Sequence, residues 1–191
     1  MAEWKSKRNT VHHYNQLASV YDIQYADEQK AKIEAVLENM SLEKNDFALD
    51  VGCGTGLLFP YVASKVQLLI GIDTSRGLLE KAETRKESFA NVHILLADSD
   101  HLPFRSWSFN TAFAITLLQN SPNPLVTLNE IERVSKEHAT IMVTGLKKKF
   151  TQKTFTTTLE KAKLELATLE TDNDLKDYIA KCHFKTKTYA R

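Results

Sequence analysis

Cysteine, proline and glycine are scarce in this chain, and so are long apolar runs. Only two cysteines, Cys53 and Cys182, occur in 191 residues. Two thiols are too few for a disulfide framework or a multi-thiolate metal site, so no metal is expected, and a reducing cytoplasm is the expected compartment. The six glycines and four prolines fall at joints between patterned segments, without internal repeat or low-complexity stretch. The longest apolar runs, such as 111–118, fall well short of the roughly 20 residues that span a bilayer, so no membrane association is expected. The opening MAEWKSKRNT lacks the apolar core of an export signal. Neither charge sign dominates: 25 Lys and Arg stand against 24 Asp and Glu, a formal net charge of +1. That excludes a strongly basic nucleic-acid binder by bulk charge, while leaving room for a local basic patch.

What is present suits one globular domain over 1–191, with 42% hydrophobic and 26% charged residues. The first forty residues read as helical. Ala31, Ile33, Val36, Leu37 and Met40 recur at near-helical spacing among Glu and Lys expected to face solvent, after a shorter piece carrying Tyr14, Leu17, Val20 and Tyr21. From 45 to 185 an alternation follows. Strands are expected at 47–51, 66–72, 92–97, 109–118 and 140–144, with helices at 56–64, 76–87, 125–135 and 152–162. The stretch 164–169 reads as a strand in preference to a continued helix. Asp172-Asn173-Asp174 signals a turn, and Tyr178-Ile179-Ala180 a returning strand. Near-continuous apolar strands between amphipathic helices point to an α/β fold: a Rossmann-like, doubly wound, seven-stranded and mostly parallel sheet, with helices on both faces and an antiparallel hairpin at one edge.

The sharpest chemical signal is LDVGCGTG at 49–56. A glycine-rich turn that leaves a first strand and opens a helix lets backbone approach a ligand closely, and the helix start offers unpaired N–H groups. The spacing is G-x-G-x-G, not the G-x-G-x-x-G of dinucleotide binders, which disfavours an NAD-type oxidoreductase. Asp73 ends the second strand, where a carboxylate can accept two hydrogen bonds from ribose hydroxyls. The alternative role for Asp73 is helix capping, which Thr74 or Ser75 could also supply.

LDVGCGTG, GIDTSRGLLEKA and LLADSDHLPFRSWSFN, in that order, resemble the motif series of class I S-adenosylmethionine-dependent methyltransferases, particularly the type 11 branch. The resemblance covers about residues 10 to 185. It implies S-adenosylmethionine as cofactor, with Gly52, Cys53, Gly54 and Gly56 under its methionine part, and Asp50 ordering that loop and contacting the amino group indirectly. It implies Asp73 on the ribose, Thr74 and Leu78 bordering the adenine, and Asp98 with Ser99 at the adenine amino group. Backbone carbonyls from Ala114 to Thr116 would face the ammonium group. Tyr14 and Tyr21, in YNQLASVYD, resemble lid aromatics that close over the cofactor, their alternative being helix packing; 1–40 is then a helical lid.

Phe109-Asn110 replaces the family's usual Phe-Asp, a change expected to alter a structural turn and not catalysis. The Asn-Pro-Pro-Tyr of some amino-methylating enzymes is absent; Thr116-Leu117-Leu118-Gln119-Asn120 stands there, arguing against glutamine and adenine N6 methylation. Cys53 reads as a small spacer and not a nucleophile. No catalytic residue is assigned, since a sulfonium donor leaves as a neutral thioether and needs no acid. His12, His13, Tyr14, His101, Gln119 and Asn120 are the candidates if the acceptor requires a base. Lys147, Lys148, Lys149 and Lys153, joined by Lys5, Lys7 and Arg8, are candidates for a basic rim at the carboxyl ends of the strands. The methyl acceptor stays open between a small molecule and RNA or protein, and the sequence sets no oligomeric state. A non-catalytic cofactor-binding module and a partner-activated subunit are the alternatives.

Overall fold

The computed structural model describes residues 2–172 and 174–184. Two helices open the chain, α1 (Ala2–Leu17) and α2 (Tyr21–Glu38). Then come β1 (Phe47–Val51), α3 (Phe59–Val62), β2 (Leu68–Asp73), α4 (Arg76–Lys86), β3 (Val92–Leu96) and β4 (Phe109–Ala114). The chain continues through α5 (Pro124–Val134), β5 (Ser135–Leu146), α6 (Gln152–Lys161), β6 (Leu164–Glu170) and β7 (Asp177–Phe184). The seven strands form one sheet in the order β3-β2-β1-β4-β5-β7-β6. The first five in that order are parallel, and β7 lies antiparallel to both β5 and β6.

Each face of the sheet is covered because its strands are apolar on both sides. Ile33 and Val36 of α2, Phe59 and Val62 of α3, and Leu79 and Ala82 of α4 close one face. Leu128 and Ile131 of α5, with Phe155 and Leu159 of α6, close the other. The parallel register puts the carboxyl ends of β1, β2, β3 and β4 along one rim, and ligand-binding loops emerge there.

The expected fold is present, with several boundaries moved. The helix expected at 56–64 is a turn followed by the short α3, which begins beside Pro60, and then a 3₁₀ turn over Ala63–Lys65. β4 stops at Ala114 instead of 118, because Thr116 takes a left-handed φ of 58° and a 3₁₀ turn follows over Leu118–Asn120. β5 begins at Ser135, well before the expected 140, so α5 ends at Val134. The tail is a β6–β7 hairpin. Of its turn, Asp174 N donates to Asp172 Oδ1 at 3.0 Å; Asn173 lies outside the described residues, as does the expected end of the core at 185. Asn110, the departure from the family pattern, ties strands at the opposite rim. Its Oδ1 accepts from Phe47 N at 3.1 Å and Lys136 Nζ at 2.9 Å.

The two N-terminal helices are held differently. α2 buries Gln29, Lys32, Ile33 and Val36 against the sheet. α1 has no fully buried residue among those described and is tied down in part by polar contacts of Asn15 and Lys7. Asn15 Oδ1 accepts from Ser75 Oγ at 2.8 Å and Gly77 N at 2.9 Å, supplementing the start of α4. Lys7 pairs with Asp98 at 2.7 Å and Asp100 at 2.5 Å. Among the described residues no helix is long and apolar enough to cross a membrane.

Candidate functional site

β1 runs directly into the glycine loop, and positive φ values at Gly52, Gly54 and Gly56 fold it back on itself. Gly56 (φ 76°) is the most constrained. A Cβ there would lie 2.4 Å from Phe59 Cε2, whose ring is fully buried. Replacing Gly56 by alanine is expected to cost about 3 kcal/mol, from left-handed strain plus displacement of the ring. Thermal unfolding should show a drop of roughly 10 °C. Gly54→Ala, whose Cβ would meet nothing closer than 3.9 Å, should lose less than half as much; equal losses would show that ring contact is irrelevant.

Asp73 holds the loop in place. Its Oδ2 accepts from Gly54 N at 2.9 Å and its Oδ1 from Ser75 N at 2.7 Å. The loop-ordering carboxylate is therefore Asp73, at the end of the neighbouring strand, where Asp50 was expected. Ser75 caps α4 through its hydroxyl, accepting from Leu78 N at 3.3 Å. Asp50, only 3% exposed, accepts no hydrogen bond among the described residues and faces the cleft. Burial, and secondarily the charge of Asp73, pushes its carboxyl up to about 8. Asp73 is also raised by burial, against the lowering effect of its backbone hydrogen bonds.

A cleft opens over the loop. Tyr14, Tyr21, Asp50, Gly52, Cys53, Gly54, Asp73, Thr74, Leu78, Ser99 and Thr116 all line it. Gly56 lies outside its lining and shapes the turn; Ala114 is wholly buried in β4. Asp98 lines an adjoining groove beneath α1, which shares Thr74, Ala97, Ser99 and Leu117 with the first cleft. Burial tends to raise the Asp98 carboxyl, but hydrogen bonds from Lys7 and from Asp100 N leave it below the usual range. Burial and the charges of Asp50 and Asp73 push the Cys53 thiol well above its ordinary value, so it is no thiolate at neutral pH. Its sulfur fills the space over Gly71, where a Cβ would approach it to 2.9 Å.

Sequence reasoning missed the α2 wall of the cleft, Gln29 and Ile33, along with Thr10, Thr55, Leu57 and Leu58. Gln29 was detectable: it stands four residues before Ile33 and shares its helix face. Among the base candidates, Tyr14 and Asn120 line the cleft and bond each other, Asn120 Nδ2 donating to Tyr14 Oη at 2.9 Å. Burial raises the Tyr14 phenol. His12 lines the adjoining groove, and His13 packs edge-on against Tyr14. His101 N donates to the Asp98 carbonyl, while Gln119 buries its Oε1 without a partner.

The lysines do not form one rim. Lys147 donates to the carbonyls of Thr171, Asp172 and Leu175 and lies over the Tyr178 ring, fixed beneath the β6–β7 turn. Lys148, Lys149 and Lys153 are exposed, as are Lys5 and Arg8. Lys7 is committed to Asp98 and Asp100 beside β3. β3 and β5 stand four strands apart in the sheet, or about 19 Å. Among the described residues no group of three or more His, Cys, Asp or Glu could hold a metal.

A methyltransferase domain model matches residues 49–143, from the last residues of β1 to the middle of β5. The chain is 31% identical over 132 residues to a malonyl-[acyl-carrier protein] O-methyltransferase of Marinomonas sp., covering 68% of this chain and 48% of that protein. It is 31% identical over 144 residues to a demethylmenaquinone methyltransferase of Staphylococcus aureus, covering 71% of this chain and 60% of that one. The chain thus spans about half to three fifths of these relatives' length. Among solved structures, the methyltransferase in a complex with the Haloferax volcanii Trm112 methyltransferase activator superposes with a TM-score of 0.79 at 17% identity. That match covers 89% of this chain and 96% of the other. Motif order, sheet order and the domain match agree, and on them the chain belongs to the class I S-adenosylmethionine-dependent methyltransferases.

Proposed function

We propose that the chain is a cytoplasmic methyltransferase whose one domain, 1–191, passes a methyl group in line to an acceptor that is a small molecule or an RNA or protein. The observation that carries this is the Asp73 carboxylate, set between the glycine loop and a cleft roofed by α1 and α2. The residues suit the cofactor: Gly54 leaves backbone bare beside the cleft, Leu117 covers that of Gly52, and Asp50 is a buried carboxyl group with a free face for a cation. Asp73 has lone pairs left for ribose hydroxyls, Thr74 and Leu78 border the adenine, and Ser99 lies beside it. Asp98 divides its carboxylate between Lys7 and the adenine amino group. Of the Ala114–Thr116 stretch, the backbone of Ile115 and Thr116 meets the ammonium end.

When bound, S-adenosylmethionine supplies a sulfonium methyl that a nucleophile displaces without acid assistance. The chain's own part is alignment and exclusion of water. Tyr14 and Tyr21 pack edge-on at 6.1 Å over the cleft, and α1 is the part of the N-terminal region that opens. Calorimetric titration should show micromolar binding of S-adenosylmethionine and of its demethylated product, and none of NAD; saturable NAD binding alone would overturn the reading. Tritiated-methyl transfer into fractionated extract then identifies the acceptor pool. The pool that takes up label, whether small molecules, RNA or protein, sets the acceptor class.

A further inference from the structure

Thr116 is a β-branched residue in a conformation such residues rarely adopt, with φ 58°. Strain of this kind persists only where surroundings over-determine it, and here three elements do so. Thr116 N donates to Thr144 Oγ1 of β5 at 2.8 Å. Its hydroxyl donates to Gln29 Oε1 at 3.0 Å and accepts from Lys32 Nζ at 2.8 Å, both on α2. Behind Lys32 stands Asp177 at the start of β7, with Nζ to Oδ2 at 2.8 Å. Lys32 is 2% exposed and Asp177 fully buried. The other charge facing Lys32 is Glu28, at 3.9 Å and itself paired with Lys176.

A buried ion pair is a poor source of stability, since apolar residues of similar volume usually serve as well. This pair grips one strained residue on the wall of the cofactor cleft. We propose that Lys32, backed by Asp177 and assisted by Gln29, is a positioning residue that locks Thr116 in its left-handed turn and so shapes the amino-acid end of the cofactor site. The lock reaches further through Leu117, the next residue, whose Cδ1 would lie 2.9 Å from a Cβ at Gly52. Leu117 thus covers the bare backbone of the glycine loop only while Thr116 keeps its turn. This rests on the reading of the cleft as a cofactor site.

The test uses two ligands on the full chain: S-adenosylhomocysteine, which carries the amino-acid end, and 5′-methylthioadenosine, which lacks it. Lys32→Met alone leaves Asp177 buried without a counter-charge, so the informative variant is Lys32→Met with Asp177→Asn. It should unfold within a few degrees of the natural chain, bind S-adenosylhomocysteine about tenfold more weakly, and hold 5′-methylthioadenosine within about twofold. Equal weakening of both ligands would mark a merely structural pair and overturn the proposal, as would unchanged binding of both. Should the double variant fail to fold, Gln29→Met, which strands no charge, must show the same selective loss or the proposal falls. A natural chain that binds neither ligand would instead remove the cofactor reading on which the proposal stands.

Discussion

Replacing Asp73 by alanine is expected to weaken S-adenosylmethionine binding by about a hundredfold or more, equivalent to about 3 kcal/mol. The variant should also unfold several degrees lower. The carboxylate does more than meet the ribose. It accepts from Gly54 N and Ser75 N, so its loss frees the glycine loop and the start of α4 together. A part-buried N–H left without an acceptor costs about 1–3 kcal/mol, which is why stability should fall along with affinity. Asp73→Asn retains one acceptor oxygen and should lie between alanine and the natural residue in both measurements. Calorimetry and thermal unfolding on the same samples decide the matter. Alanine-variant affinity within about tenfold of the natural chain would show that neither the loop anchor nor the ribose contact depends on this residue.

The sheet was legible because its strands are apolar on both faces, a pattern that only a covered parallel sheet explains. The glycine loop and Asp73 were legible because each needs a residue type at a fixed place in the strand-turn-helix unit. What escaped was set by distant partners. Thr116 belongs to a type that extends strands, and nothing in its neighbours announces the turn that Thr144, Gln29 and Lys32 impose. Lys7 and Lys147, read as candidates for a basic rim, and Lys32, read as solvent-facing, are each tied down: Lys7 to Asp98, Lys32 to Asp177, and Lys147 to carbonyls of the β6–β7 turn. Sequence gives the sign of such a charge, while the fold decides whether its partner is water or a residue far along the chain. The loop anchor was placed on Asp50 and not on Asp73 for the same reason. Both end parallel strands beside the loop, and only the direction of each side chain separates the anchor from the free group.

That free group gives a result of opposite sign for stability and binding. Asp50 holds its proton to about 8 in the fold, whereas an unfolded chain releases it near the ordinary carboxylate value, 3.8. Between those values the folded state binds a proton that the unfolded state lacks. The contribution of Asp50 to the stability of the ligand-free protein therefore declines as pH rises from about 4 to about 8, by at most about 1.4 kcal/mol per unit, and levels off above. Asp50→Asn removes the titration. The variant should match the natural chain near pH 4 and exceed it at pH 8 by about 2–4 kcal/mol, the lower part of that range allowing for relaxation around the ionised group. Cofactor binding should move the other way. A cationic amino-acid end draws the proton off Asp50 and pairs with the carboxylate, so asparagine should cost roughly ten- to a hundredfold in affinity. The natural chain should release a proton on binding near pH 7, which appears as a dependence of the calorimetric heat on buffer ionisation enthalpy, and the variant should release less. Denaturant unfolding across pH tests the first half. A variant less stable than the natural chain at pH 8 would mean that Asp50 is ionised and well paired in the fold, and that the cleft holds a different balance of charge from the one that suits a sulfonium cofactor.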